Sequence, residues 1–102
     1  RMKITNNINL GNLKFGVPKK FEVEITNDSS NMLTVTKLQP SCSACTSARM
    51  KQSILSPGQV GIVELTFTPG STGINKKQVV IHYTENGHSA SGVIKFTAQV
   101  NG

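Results

Sequence analysis

The chain has no tryptophan, one tyrosine and four phenylalanines, and only five acidic residues stand against eleven basic ones. Each scarcity removes a class of function. Phe21, Phe67 and Phe96 fall at positions expected to face a core, which leaves few rings to interleave with lysines and stack on bases. Nucleic acid is therefore not the expected partner. The acids Glu22, Glu24, Asp28, Glu64 and Glu85 include no pair that strand geometry aims into one cleft, so a carboxylate dyad is not expected. No serine sits in a Gly-x-Ser-x-Gly elbow, and the glycines form no phosphate loop. A structural zinc site commonly takes two Cys-x-x-Cys knuckles or a Cys pair with two histidines; this chain has one knuckle, with His82 and His88 six residues apart on or beside a hairpin. No apolar run approaches the roughly 20 residues that cross a bilayer, so membrane insertion is not expected. None near Arg1 has the form of a signal peptide. The opening Arg1-Met2-Lys3 fits either a native start at Met2 or a module of a longer protein. The sequence points to no enzyme, no cofactor and no resident metal.

What is present is alternation. In Phe21-Glu22-Val23-Glu24-Ile25-Thr26 the odd positions are apolar and the even ones polar, as a strand with one buried face requires. Asn27-Asp28-Ser29-Ser30-Asn31 reads as turn chemistry. A second strand, Met32 to Leu38, carries Leu33 and Val35 on one face and stops at Pro40, whose ring removes a ladder donor. An irregular stretch from Ser41 to Ser53 holds a short edge strand near Ala48 to Lys51. After the turn at Pro57-Gly58, Val63, Leu65 and Phe67 alternate with Glu64, Thr66 and Thr68. Gln78 to Thr84 follows, then an Asn86-Gly87 hairpin turn, then a last strand placing Ile94, Phe96, Ala98 and Val100 inward. With a first strand inside Ile8 to Phe15, the count is about seven. Spacing of this kind defines an all-β, Ig-like antiparallel sandwich forming one domain over residues 1–102.

The residues just described resemble a known group. Asn9-Leu10-Gly11 and Gly16, Phe21 to Asn27, Leu33-Thr34-Val35, Ser41-Cys42 to Cys45-Thr46, Leu55-Ser56-Pro57-Gly58 and Val63 to Phe67 together look like the bacterial Ig-like domains of unknown function. Those are related to Hydin-type and major-sperm-protein domains, and the resemblance runs from about Ile8 to Val100. It implies a PapD-like sandwich acting as a non-enzymatic module of surface, envelope or large-assembly proteins. The family pattern has one residue between the cysteines (Cys-Gly-Cys-Thr), whereas Ser43 and Ala44 stand between Cys42 and Cys45 here.

Cys42 and Cys45 admit several readings. A local disulfide suits an oxidising compartment and closes a loop too short to staple two sheets. Two packed thiols would behave as small hydrophobes. A metal could draw on Met50, His82 or His88, and a redox pair would need a thiol of lowered pKa. The leading expectation is a non-catalytic interaction or structural module on a larger assembly, either a virion decoration or auxiliary subunit or a bacterial envelope complex. It would contact protein partners through sheet edges and end loops. The net charge of +6 favours a partner with an acidic surface. The candidate contact region is the Ser41–Lys51 stretch, with Arg49, Met50 and Lys51 as the partner-binding residues. The alternative is a thiol-based metal-binding or redox module built on Cys42 and Cys45. A virion or the bacterial envelope or exterior is the expected location, ahead of the cytoplasm.

Overall fold

Alternating side chains become strands, and the strands divide between two sheets. The computed structural model describes residues 1–5 and 7–102. Among them are β1 (Met2–Ile4), β2 (Ile8–Lys14), β3 (Lys19–Asn27), β4 (Leu33–Pro40), β5 (Thr46–Met50), β6 (Ile54–Leu55), β7 (Val60–Phe67), β8 (Gly73–Glu85) and β9 (His88–Asn101). One sheet has the order β1-β3-β7-β5 and the other β2-β9-β8-β4-β6. The β8–β9 hairpin is the only connection that stays within a sheet among the described residues; every other one crosses to the opposite sheet.

The sandwich has nine strands rather than about seven. The additions, β1 and β6, are three and two residues long, below the length at which alternation can be seen. β8 also begins earlier than expected, because Asn75 and Lys77 occupy inward positions and break the apolar pattern before Val79. One ladder departs from the antiparallel rule. β2 runs parallel to β9, with a register shift between Asn9 and Asn12 where Gly11 takes a φ of 75°. The Asn86-Gly87 turn is as expected, with φ of 50° and 77° at the paired positions a tight hairpin needs. β9, at 14 residues and about 3.4 Å per residue, accounts for the 47 Å long axis.

The core is filled from both inner faces. Val23, Ile25, Val63, Leu65 and Phe67 meet Leu33, Val79, Ile81, Ile94 and Phe96, all buried. Phe96 packs edge-on to Phe67 and to Phe21, each with ring centres 5.2 Å apart. Such pairs add about 0.5–1.5 kcal/mol beyond their area. Phe21 is half-buried, at the rim of this trio.

Asn27 is not part of the turn that its sequence context suggests. It is the last residue of β3 and has no exposed surface. Its Nδ2 donates to the carbonyls of Asn31 (2.7 Å) and Leu55 (3.0 Å). Its Oδ1 accepts from the backbone N–H (3.1 Å) and hydroxyl (2.7 Å) of Ser29. Its backbone N–H donates to the Gln59 carbonyl, and its carbonyl accepts from the Gly58 N–H. An Asn27→Ala protein loses about 3 kcal/mol, chiefly because the Leu55 carbonyl loses its donor inside the protein, whereas the exposed Asn31 carbonyl keeps the Ser29 hydroxyl. Asn27→Asp loses more, since a carboxylate would face those same carbonyl oxygens. Urea unfolding checks both, with the midpoint falling while the slope is unchanged.

Candidate functional site

The stretch singled out by sequence is the crossover from β4 to β5, where the chain passes between sheets. Pro40 ends β4 opposite Val79. Ser41 then docks on β8: its N–H donates to the Gln78 carbonyl (2.8 Å), and its Oγ accepts from the Gln78 N–H (3.2 Å). The following turn closes on Cys42, whose carbonyl accepts from the N–H groups of Cys45 (3.2 Å) and Thr46 (2.9 Å). On the other side, the Cys45 carbonyl accepts from the N–H of Thr68 just beyond β7 (2.8 Å). Cys42 and Cys45 are joined as a disulfide with Cα atoms 5.5 Å apart. Of the readings open from sequence, this is the local bridge, and neither sulfur is a free thiol. Beside it lies an open cleft of about 420 Å³ bordered by Thr68, Pro69, Asn75 and Lys77.

The other ligand candidates are not drawn to the cysteines. Met50 lies at the far end of β5, and its methyl packs so close to Gly61 that a Cβ there would come within 2.9 Å. His82 is part-way along β8, with Nε2 paired to Gln39 Oε1 at 2.8 Å on the outer face. His88 opens β9 at the hairpin turn and is exposed. Among the described residues, no three or more His, Cys, Asp or Glu side chains gather where a metal could be held.

Of the three partner-binding candidates, Arg49 and Lys51 are exposed and Met50 packs against the core. Arg49 Nε donates to Glu64 Oε1 across the β5–β7 ladder at 3.1 Å. Glu64 is also directly opposite Glu22, so Arg49 offsets a like-charge cross-strand pair. Lys51 borders a shallow cleft of about 270 Å³ with the exposed apolar residues Val60 and Ile62.

Basic residues are spread along the whole chain, and the fold sorts them. On the outer face of the β1-β3-β7-β5 sheet, Lys3, Lys20 and Arg49 are balanced by Glu22, Glu24 and Glu64. On the outer face of the other sheet, Lys37, Lys76 and Lys95 have no carboxylate among them at the outward positions of β4, β8 and β9. Side-chain parity within each strand was the signal that could have revealed this.

Two sheets with these crossovers define an Ig-like sandwich of the PapD-like kind. The chain belongs to the family described as a protein of unknown function, DUF1573, whose model matches residues 2–100. It superposes on the VesB protease of Vibrio cholerae with a TM-score of 0.82 at 18% identity, over 96% of this chain and 31% of that one. A protein of unknown function from Porphyromonas gingivalis W83 matches with a TM-score of 0.80 at 17% identity, over 96% and 46%. The chain thus spans less than half the length of either. The seventh PapD-like domain of human CEP192 matches with a TM-score of 0.66 at 12% identity, over 98% of this chain and 84% of that one. At these identities the likeness shows the fold alone. No curated protein matches the sequence.

The bridge closes a loop too short to do more than brace the crossover. Cys42→Ser with Cys45→Ser is expected to fold and to lose about 2 kcal/mol on the chain-entropy estimate. Thermal and urea unfolding of the double variant measure it. Intact mass of the untreated protein should be two hydrogens light, with no labelled thiol.

Proposed function

We propose that this chain is a non-catalytic interaction module, acting as one Ig-like unit over residues 1–102 within a larger assembly. The observation that carries the reading is the braced end of the sandwich. A disulfide-closed crossover leads directly into β5, an edge strand that presents Arg49 outward with Lys51 just beyond it. A loop held on both sides by backbone hydrogen bonds loses little conformational freedom on docking, which favours its use as a contact. The excess of basic residues selects a protein partner with an acidic surface. Strand addition at the sheet edges and docking of the end loops are the modes of contact. A disulfide persists in an oxidising setting, which supports the bacterial envelope, the exterior or a virion as the location. No helix among the described residues is long and apolar enough to cross a membrane.

Arg49→Glu with Lys51→Glu is the direct test, since both side chains are exposed and neither change disturbs the core. Co-purification of the tagged chain with its assembly from the source organism should fall about tenfold or more, as expected when charges at a docking surface are reversed. Recovery equal to the unsubstituted protein would remove β5 from the interface.

A further inference from the structure

The end of the sandwich that holds the disulfide also carries the connection from β2 to β3. From Lys14 through Phe15, Gly16, Val17, Pro18 and Lys19 to Lys20, every residue is exposed. Phe15 and Val17 each leave 50% of their surface open, and such surface gains free energy when it is removed from water. The turn that displays them is closed. The Val17 N–H donates to the Lys14 carbonyl (3.1 Å), placing Phe15 and Gly16 at the two central positions. Gly16 has a φ of 74°, which the second of these positions demands in a type II turn. The Phe15 N–H donates to the Asn101 carbonyl (2.8 Å) and the Gly16 N–H to the Pro69 carbonyl (2.9 Å), while Pro18 has no N–H to offer. From Phe15 to Pro18, therefore, no backbone N–H is left for solvent.

The side-chain charges around this turn have one sign. Lys14 is opposite Asn101, Gly73 is opposite Val100, and Phe67 is opposite both Lys19 and Thr46. Stretches 11–20, 41–46, 67–77 and 97–102 thus gather at this end. They hold Lys14, Lys19, Lys20, Lys76 and Lys77 and contain no aspartate or glutamate. Ile74, 66% exposed, adds a further apolar side chain among them. The opposite end carries Asp28 and Glu85 beside Arg1 and Lys3, so the basic excess falls around the turn.

We propose that this end of the sandwich docks on the surface of an anionic lipid bilayer. Phe15 and Val17 enter the boundary between headgroups and acyl chains, and Lys14 and Lys19 remain at the level of the lipid phosphates. Lysine suits that depth, because its stem lies along apolar surface while its ammonium stays in water. A free N–H carried into the boundary would lose its water partner at a large cost, and this turn carries none. Its fixed shape also leaves little conformational freedom to lose on contact. A protein partner that recognised the turn by strand addition would need open backbone donors, which are absent from Phe15 to Pro18. Nucleic acid would call for several exposed rings, whereas Phe67, Phe96 and Tyr83 are buried. The contact is interfacial and needs no bilayer-crossing segment. It is a second contact of the molecule and does not depend on the module reading or on β5.

The chain has no tryptophan, so Phe15→Trp in the full chain supplies a single fluorescent reporter. With vesicles of equal parts phosphatidylglycerol and phosphatidylcholine, its emission shifts to the blue and is quenched by brominated acyl chains. Met32→Trp, at an exposed position of the opposite end, shows neither change. In co-sedimentation the unsubstituted protein binds these vesicles, and binding weakens as salt is added. Phe15→Ser with Val17→Ser lowers the partition coefficient by about tenfold or more. Lys14→Gln with Lys19→Gln does the same, while Lys3→Glu, an equal change in net charge at the far end, stays within about twofold. The substituted side chains at positions 14, 15, 17 and 19 are all exposed, so melting temperatures should match that of the unsubstituted chain. If the serine pair disturbs folding, the Phe15→Trp reporter still decides, since it keeps the turn apolar.

No sedimentation with anionic vesicles at low salt overturns the proposal, as does an unshifted Phe15→Trp reporter on vesicle-bound protein. An equal loss in Lys3→Glu would mean adsorption by net charge alone, and equal binding to pure phosphatidylcholine would remove the anionic requirement; either result overturns it. A reporter that shifts with the co-purified assembly but not with vesicles makes the occupant a protein pocket, and the lipid surface is then excluded.

Discussion

A single buried amide holds the order of the strands. Asn27 sits where β3 leaves one sheet and the chain crosses to begin β4 in the other, and each of its donors and acceptors is used. The side chain ties β3 to β6 through Leu55 and shapes the 28–32 turn through Ser29 and Asn31. Its backbone ties the same point to the Pro57-Gly58 turn that leads into β7. Hydrophobic packing alone would tolerate one sheet sliding over the other, because apolar contacts are not directional. A buried polar group that must satisfy several fixed partners tolerates no such shift without an unmet hydrogen bond. Among the described residues the strands alternate between sheets at every step except the final hairpin, so the crossovers, more than the hairpin, decide the topology.

The opposite end of the sandwich solves the same problem with different chemistry. There the chain passes from β4 to β5, and the Cys42–Cys45 bridge closes the turn. Ser41 fixes it to β8, and Thr68 fixes it to the end of β7. The aromatic trio lies towards this end, since Phe67 pairs with Thr46 and Phe96 with Lys77. One end is therefore held by a saturated amide and the other by a covalent loop over aromatic packing. Each device is centred on a short stretch of chain, yet its hydrogen bonds reach distant residues and join both sheets.

Much of this was legible from the residues. Alternation from Phe21 to Ile25, from Val63 to Phe67 and from Ile94 to Val100 placed the central strands and their inward faces, as the burial of those side chains shows. Asn86-Gly87 placed the hairpin. What escaped was either too short or too polar to register. β1 and β6 are shorter than one visible alternation, and the start of β8 hides behind Asn75 and Lys77. Asn27 continues the odd-numbered inward series of β3, a usable signal, but the Asp-Ser-Ser that follows made it look like a turn residue. The parallel β2–β9 ladder was invisible for a different reason: no local signal records which distant strand an edge will meet. At the candidate site, the cysteine loop was found as a segment, while its pairing was one of several readings until the geometry was available.

Charge shows most clearly how a fold converts sequence into function. Along the chain, lysines and glutamates have no order that composition can reveal. Folding into strands imposes a period of two, which sends neighbouring residues to opposite faces and brings distant ones together. Glu22, Glu64 and Arg49, far apart in sequence, become one row on a balanced face. Lys37, Lys76 and Lys95, equally far apart, share a face whose outward positions on β4, β8 and β9 carry no carboxylate. Such an imbalance disfavours the isolated molecule slightly through self-repulsion, and it is relieved when an anionic surface covers it. The division between them is thus a physical ground for expecting the two sides of this sandwich to meet different surroundings.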